Sequence, residues 1–305
     1  MIMSSQVLMM VRPACFGYNE ETAANNHFQH QPAGKGVQEY ALEEFDGMVR
    51  LLRGHDIPVM VVEDTPEPRT PDSIFPNNWF STHADGTLVL YPMFAPNRRE
   101  ERRPAVIQAI REAAGTVRVV DLTAWEENGE FLEGTGSLVL DRKAKTAYAC
   151  RSPRTSEAVL DDFCRQTGYR PVIFDAVDND GCPIYHTNVM MSVGEDFAVL
   201  CGDAFISPRE LSDVHDRLRA SGKTVIEVSR DQMCRYACNV LQVRNIRGES
   251  FIIMSDTAMN CLNARQLASL NEKGSILAAH IPHIEEAGGG STRCMMAEVF
   301  RRKES

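Results

Sequence analysis

The feature that most constrains the fold of this chain is a structural unit that recurs along it: two short strands, a helix and a third strand. The predicted units begin near residues 79, 137, 188 and 239, a spacing of roughly 45–55 residues. About five copies fit the 305 residues, although no sequence motif recurs among them. Such modules stacked around an axis would form a propeller-like α/β domain with its pocket on the axis.

Apolar residues at helical spacing predict amphipathic helices within these modules, at 37–53, 98–113, 156–167, 208–221 and 264–273. The intervening apolar runs are short enough to be strands. No linker rich in proline, glycine or serine divides the chain, so we expect one domain over residues 1–305.

Composition excludes several classes of function. Hydrophobic residues make up 43% of the chain, and the formal net charge is −10, which disfavours binding to nucleic acid or to an anionic membrane. No apolar run approaches the ~20 residues of a membrane span, and no secretory signal is expected. The nine cysteines are odd in number and form no CxxC pair. We therefore expect free thiols, a cytoplasmic location and no metal site.

Four polar motifs do not look like scaffold, and each stands just before a predicted strand. Taken singly, they have ordinary structural interpretations: an Asx turn, a turn carboxylate, a structural histidine and a buried cysteine. Because they occupy equivalent places in their modules, we expect them to converge at one end of the axis. The motifs are Asn77-Asn78, Glu133-Gly134-Thr135-Gly136, His186-Thr187-Asn188 and Gly288-Gly289-Gly290 with Cys294.

A cysteine, a histidine and a glutamate that meet in a pocket are typical of an activated-nucleophile site. The thiolate is the reactive form of cysteine, and a neighbouring imidazolium or the amides of a glycine-rich loop would stabilise it. The sequence therefore predicts covalent chemistry at Cys294 that needs no metal or organic cofactor.

In this order, the motifs resemble those of the pentein superfamily of guanidine- and ureido-modifying enzymes. That superfamily includes arginine deiminase, dimethylarginine dimethylaminohydrolase and the amidinotransferases. The resemblance covers essentially the whole chain and is closest to the citrulline-utilization hydrolase branch. It implies a five-fold pseudo-symmetric α/β-propeller, with Cys294 as nucleophile, His186 as acid and base, and Glu133 as the group that orients the imidazole.

The chain departs from the deiminase pattern at Asn78 and Asn188, where the arginine-using members place aspartates. A guanidinium offers only donors and a positive charge, whereas a ureido group is neutral and offers both a donor and an acceptor, as asparagine does. We therefore expect citrulline to be bound and hydrolysed to ornithine, carbon dioxide and ammonia through an S-carbamoyl-type intermediate.

Several alternatives remain open at this stage. Arginine deimination, methylarginine hydrolysis and amidino transfer could use the same pocket, and a non-catalytic member of the fold could bind a ligand there. The substrate would be a small amino acid in each enzymatic case, and assembly into a homo-oligomer is also left open. For the substrate carboxylate the candidates are Arg98, Arg151 and Arg154. The polar segment from Cys15 to Gly36 is expected to be a long surface loop, and its residues 25–27 are a candidate lid over the pocket.

Overall fold

Fifteen strands form five three-stranded sheets in the computed structural model, which describes residues 6–23, 25–31 and 36–302. In every sheet the middle strand pairs antiparallel with one neighbour and parallel with the other. The strands are β1 (Gln6–Arg12), β2 (Val59–Glu63), β3 (Phe80–Thr82), β4 (Thr87–Leu90), β5 (Arg118–Asp121), β6 (Leu138–Asp141), β7 (Thr146–Cys150), β8 (Arg170–Phe174), β9 (Met191–Val193), β10 (Phe197–Leu200), β11 (Thr224–Glu227), β12 (Leu241–Arg244), β13 (Ser250–Ser255), β14 (Ser275–Ala279) and β15 (Ala297–Phe300).

The helices lie between or beside these strands. The α-helices are α1 (Glu20–Ala23), α2 (Val37–Gly54), α3 (Pro96–Arg99), α4 (Pro104–Ala114), α5 (Gly134–Ser137), α6 (Glu157–Thr167), α7 (Pro208–Ala220), α8 (Arg230–Met233), α9 (Asp256–Cys261), α10 (Ala264–Asn271) and α11 (Pro282–Gly288). Short 3-10 helices cover Pro76–Asn78, Thr123–Asn128, Thr187–Val189 and Gly202–Ala204. No helix of the described residues is long and apolar enough to cross a membrane.

Both ends of the described chain contribute to one sheet, which completes the fifth module. Strand β1 pairs antiparallel with β15, where Leu8 lies opposite Glu298, and parallel with β2, where Met10 lies opposite Val61. The other four sheets are each continuous in sequence, in the orders β3-β4-β5, β6-β7-β8, β9-β10-β11 and β12-β13-β14. The sequence pattern of five α/β modules is therefore confirmed.

Hydrophobic clusters join the five sheets into a ring. One cluster links β1 to the β3-β4-β5 sheet, a second links that sheet to β6-β7-β8, and a third joins this sheet to the next two. The last cluster packs β12-β13-β14 against β1 and α2, which returns to the start. Strands such as β7 are buried along their whole length, and burial on both faces accounts for their nearly continuous apolar sequence.

Two expectations about local structure are wrong. The helix predicted at 98–113 is divided into α3 and α4, because Pro104 has no N–H to donate within a helix and its ring excludes the residue before it from helical geometry. The polar segment after Cys15 was expected to be a surface loop. Instead, α1 lies within it, and Asn19, Thr22, Asn26 and Gln29 are buried.

Candidate active site

Glycines bring the backbone before Cys294 close to its neighbours. Gly289 follows α11 with a φ of +63°, a conformation that side chains disfavour, and a Cβ there would lie 2.7 Å from the Asn26 amide nitrogen. A Cβ on Gly290 would lie 2.9 Å from the Phe75 ring. The chain then turns, with the Cys294 N–H donating to the Ser291 carbonyl at 2.9 Å, and places the thiol in a buried position.

Hydrogen bonds with side chains outside it hold this glycine segment in place. The Tyr185 hydroxyl donates to the Gly289 carbonyl at 2.9 Å, and the Asn26 amide donates to the Gly288 carbonyl at 3.3 Å. The Ser291 hydroxyl donates to the Glu285 carboxylate at 2.6 Å. The segment is therefore fixed despite its glycine content.

The sulfur of Cys294 accepts hydrogen bonds from two side-chain amides. Asn188 Nδ2 lies 3.4 Å from Sγ, and Asn239 Nδ2 lies 3.3 Å from it. Both amides are buried. Donors aimed at a buried sulfur stabilise its negative form, because a thiolate accepts hydrogen bonds more strongly than a thiol does.

His186 and Glu133 form the second part of the site. His186 Nε2 lies 2.7 Å from Glu133 Oε2, and the other carboxylate oxygen accepts from the Phe94 N–H at 3.0 Å. Arg154 Nη1 also donates to Glu133 Oε2, at 3.4 Å. Because the carboxylate accepts, Nε2 carries the hydrogen, and the lone pair of a neutral ring lies on Nδ1.

The protonation states follow from burial and charge. Burial lowers the pKa of His186 to about 4, although Glu133 acts in the opposite direction. Burial alone would raise the pKa of Glu133, but Arg154 and the hydrogen bond from His186 outweigh it and hold the pKa at about 2. Near neutral pH the site therefore contains a carboxylate and a neutral imidazole. The imidazolium expected beside Cys294 is absent because the ring is fully buried near two arginines.

Asn78 is oriented by a buried arginine. Arg98 Nη1 donates to Asn78 Oδ1 at 2.7 Å, and the same guanidinium forms a bidentate pair with Glu101 at 2.8 and 3.0 Å. The Asn78 amide nitrogen is buried and has no partner among the described residues. A Cβ on Gly136 would lie 2.8 Å from His186 Nδ1 and still closer to this nitrogen, so the two groups border the same small space.

Three further side-chain oxygens in this region are buried without a partner among the described residues: Asn77 Oδ1, Asn188 Oδ1 and Asp72 Oδ1. The other Asp72 oxygen accepts from the Asn19 amide at 2.8 Å and from the Thr22 hydroxyl at 3.1 Å. Buried polar atoms are nearly always hydrogen-bonded in proteins. Unpartnered atoms of Asn78, which borders His186, and of Asn188, which contacts Cys294, therefore indicate a site for a polar small molecule.

Only two of the three candidate arginines lie at the site. Arg98 and Arg154 are buried there and already hydrogen-bonded, Arg154 through its Nε to Asn25 Oδ1 at 2.7 Å. Arg151 instead pairs with Asp175 at 3.0 Å and with Glu157 at 3.3 Å, with 38% of its side chain exposed. The prediction that Arg151 binds the substrate carboxylate is therefore wrong, because these acidic residues lie outside the site and hold Arg151 at the surface.

The structure brings the predicted residues together in two pairs, Cys294 with Asn188 and His186 with Glu133. The short turn from His186 to Asn188 links the pairs, and Asn78 lies on the His186 side. Asp72 and Asn239 were not singled out from the sequence. Asn239 could have been, because it stands before β12 as Asn78 and Asn188 stand before β3 and β9. Over residues 6–23, 25–31 and 36–302, no three His, Cys, Asp or Glu side chains are grouped to hold a metal ion.

A five-sheet α/β ring with a buried cysteine, histidine and glutamate defines a protein of the pentein class. A family model described as N,N dimethylarginine dimethylhydrolase, eukaryotic, matches residues 12–301. The chain belongs to this family, whose members are hydrolases of C–N bonds. The predicted superfamily is thereby confirmed. No curated protein matches the chain in sequence.

Solved structures share the fold at low sequence identity. ArgZ, an arginine dihydrolase from the ornithine-ammonia cycle in cyanobacteria, superposes with a TM-score of 0.76 and 17% identity. The alignment covers 98% of this chain but 41% of full-length ArgZ. The substrate-bound N-terminal domain of ArgZ superposes with a TM-score of 0.72 at 17% sequence identity, and the alignment covers 97% of this chain and 99% of that domain. A dimethylarginine dimethylaminohydrolase variant superposes with a TM-score of 0.65 at 15% sequence identity, and the alignment covers 97% of this chain and 100% of that chain.

Proposed function

We propose that this protein is a cysteine-dependent hydrolase of the terminal C–N bond of a ureido or guanidino amino acid, and that citrulline is its preferred substrate. The observation that carries the proposal is the orientation of Asn78. Its amide oxygen is bound by Arg98 at 2.7 Å, so the amide nitrogen is the atom left for a ligand.

The unpartnered atoms match a neutral ureido group. Asn78 supplies an N–H donor for the ureido oxygen, and Asn188 supplies the acceptor Oδ1 for a ureido N–H. A guanidinium has no acceptor for the Asn78 donor, and neither amide would compensate its charge. The Asp72 Oδ1 atom is an acceptor suited to the α-ammonium group, and it is buried close to the same residues.

The reaction would proceed through addition and elimination at the ureido carbon. The neutral His186 takes the proton of the Cys294 thiol on Nδ1, and the sulfur adds to the carbon. The Asn78 N–H stabilises the oxygen that becomes negative. His186 returns its proton to the departing nitrogen, which leaves an S-carbamoyl-type intermediate.

Hydrolysis then regenerates the thiol. His186 takes a proton from water, the resulting hydroxide attacks the carbonyl, and the sulfur leaves. The carbamic acid so formed loses carbon dioxide. Citrulline and one water thus give ornithine, carbon dioxide and ammonia. Glu133 keeps the ring oriented and stabilises its positive charge while the proton is held.

Arginine or a methylated arginine is the second candidate. The family match favours it, since that family is described by its action on dimethylarginine, and ArgZ is described as an arginine dihydrolase. The two candidates differ in charge at the reacting group, so a side-by-side assay separates them.

The test incubates the protein with citrulline, arginine and N,N-dimethylarginine in turn and quantifies ornithine, citrulline and ammonia. We expect ornithine and ammonia in equal amounts from citrulline, with the highest kcat/KM of the three. Cys294→Ser, which keeps an acceptor for the two amides, should be folded and inactive, whereas Cys182→Ala should behave as wild type. A higher kcat/KM for arginine or dimethylarginine would overturn the choice of citrulline. No turnover of any of them would overturn the hydrolase assignment.

A further inference from the structure

We propose that Asn239 is a further catalytic residue, whose side-chain amide donates a hydrogen bond to the Cys294 sulfur and stabilises its thiolate for attack. The proposal rests on the thiol chemistry proposed above and does not depend on which amino acid is the substrate. Asn239 Nδ2 lies 3.3 Å from Sγ, and only 2% of the residue is exposed.

The amide of Asn239 can point only one way. Its Oδ1 accepts the backbone N–H of Arg293 at 3.0 Å, which leaves Nδ2 on the side of the sulfur. The reverse orientation would place the NH2 group against that N–H and the oxygen against the sulfur. Asn239 Nδ2 also lies 3.4 Å from the backbone carbonyl oxygen of Asn188, and this second acceptor is consistent with the same orientation.

The described groups around the sulfur leave the stabilisation of a thiolate to amides. His186 directs its Nε2–H to Glu133 and not to Cys294. The Arg293 guanidinium is committed to the Met296 carbonyl at 2.9 Å and to Glu298 at 3.4 Å. Asn188 is the other donor to the sulfur, but its Oδ1 has no partner among the described residues. Under the proposed function this oxygen binds the substrate, so the Asn188 amide serves both the sulfur and the ligand. Asn239 has both amide ends bound within the protein and is the fixed donor.

The experiment measures alkylation of Cys294 by iodoacetamide in the absence of substrate, as a function of pH, by peptide mass spectrometry. Asn239→Asp retains an acceptor for the Arg293 N–H but places a carboxylate oxygen beside the sulfur. We expect it to slow alkylation at pH 7 by at least about tenfold and to move the profile to higher pH. Asn239→Ala, which removes the donor without adding a charge, should give an intermediate rate.

The alanine variant separates catalysis from scaffold, because the carboxylate of Asn239→Asp disfavours a neighbouring thiolate whatever the role of Asn239. If Asn239 only held the Arg293 backbone, Asn239→Ala would leave the pH profile of alkylation unmoved. An unmoved profile in Asn239→Ala, or an unchanged one in Asn239→Asp, would overturn the proposal. The eight other cysteines in each sample give the reference rate, and thermal melts confirm folding. Should the aspartate variant not fold, the alanine decides: a profile moved to higher pH supports the proposal, and an unmoved one overturns it.

Because no substrate is present, this test is independent of the proposed activity. A protein that turns over neither citrulline nor arginine can still show the alkylation order expected for Asn239. Conversely, an active enzyme with an insensitive alkylation profile would retain its proposed function and lose this residue.

Discussion

Arg98 Nη1 donates to Asn78 Oδ1 at 2.7 Å, and this single contact determines what Asn78 offers a ligand. An arginine has donors only, so it selects the amide oxygen and leaves the buried amide nitrogen without a partner among the described residues. Under the proposed function, Arg98 would set the choice between a neutral and a cationic substrate through Asn78, without itself touching the substrate.

Replacing Asn78 by aspartate is expected to reverse that choice. One carboxylate oxygen would pair with Arg98, and the other would face the ureido oxygen, acceptor against acceptor. We expect kcat/KM for citrulline to fall by roughly one to two decades, which corresponds to a loss of about 1–3 kcal/mol in transition-state binding. Arginine, in contrast, would gain a counter-charge. The measurement is the ratio of kcat/KM for the two substrates. Asn128→Asp, an exposed position, is the control, and a ratio unchanged in Asn78→Asp would remove Asn78 as the selecting group.

Gly136→Ala is expected to abolish most activity without unfolding the protein. The added Cβ would lie 2.8 Å from His186 Nδ1 and closer still to the Asn78 amide nitrogen, so both groups must move. A displacement of about 1 Å at reacting groups can reduce the rate about a hundredfold. Gly54→Ala is the matched control, because its Cβ would meet nothing within 4 Å. Steady-state kinetics and melting temperature check this, and near-normal kcat in Gly136→Ala would show that the space beside His186 is not used.

Acid is expected to destabilise the fold through His186. The pKa of the folded residue is about 4 because of burial, and the unfolded residue titrates near its ordinary 6.5. Between these values only the unfolded chain binds the proton, so stability is complete above pH 6.5 and is lost as pH falls towards 4. The pKa difference corresponds to a loss of up to about 3 kcal/mol.

Urea unfolding across this pH range provides the measurement, with His186→Gln as the variant. The variant should show a flatter fall in the free energy of unfolding than wild type, although buried His83, whose pKa burial lowers to about 3, contributes with the same sign. His280→Gln is the control. The pKa of His280 is raised by its hydrogen bond to Asp256, so it contributes with the opposite sign and its removal should not flatten the curve. Equal slopes in wild type and His186→Gln would contradict the buried neutral imidazole.

The modular fold could be predicted because its signals are local. Short apolar runs and helical spacing are read within a few residues, and their repetition indicated five modules. The prediction failed where one residue outweighs the pattern, as at Pro104, which separates α3 from α4. The pairing of β1 with β15 could not be derived from local signals, since it joins residues nearly 300 positions apart, such as Gln6 and Phe300.

The sequence by itself determined which chemical groups are available: a cysteine after three glycines, a histidine, a glutamate and asparagines before strands. It could not determine their protonation or orientation. His186 is neutral because the whole fold buries it, and Asn78 presents its nitrogen because Arg98, 20 residues away in sequence, binds its oxygen. Burial and hydrogen-bond partners are properties of the folded chain, so only the tertiary structure decided that amides, and not an imidazolium, face the sulfur of Cys294.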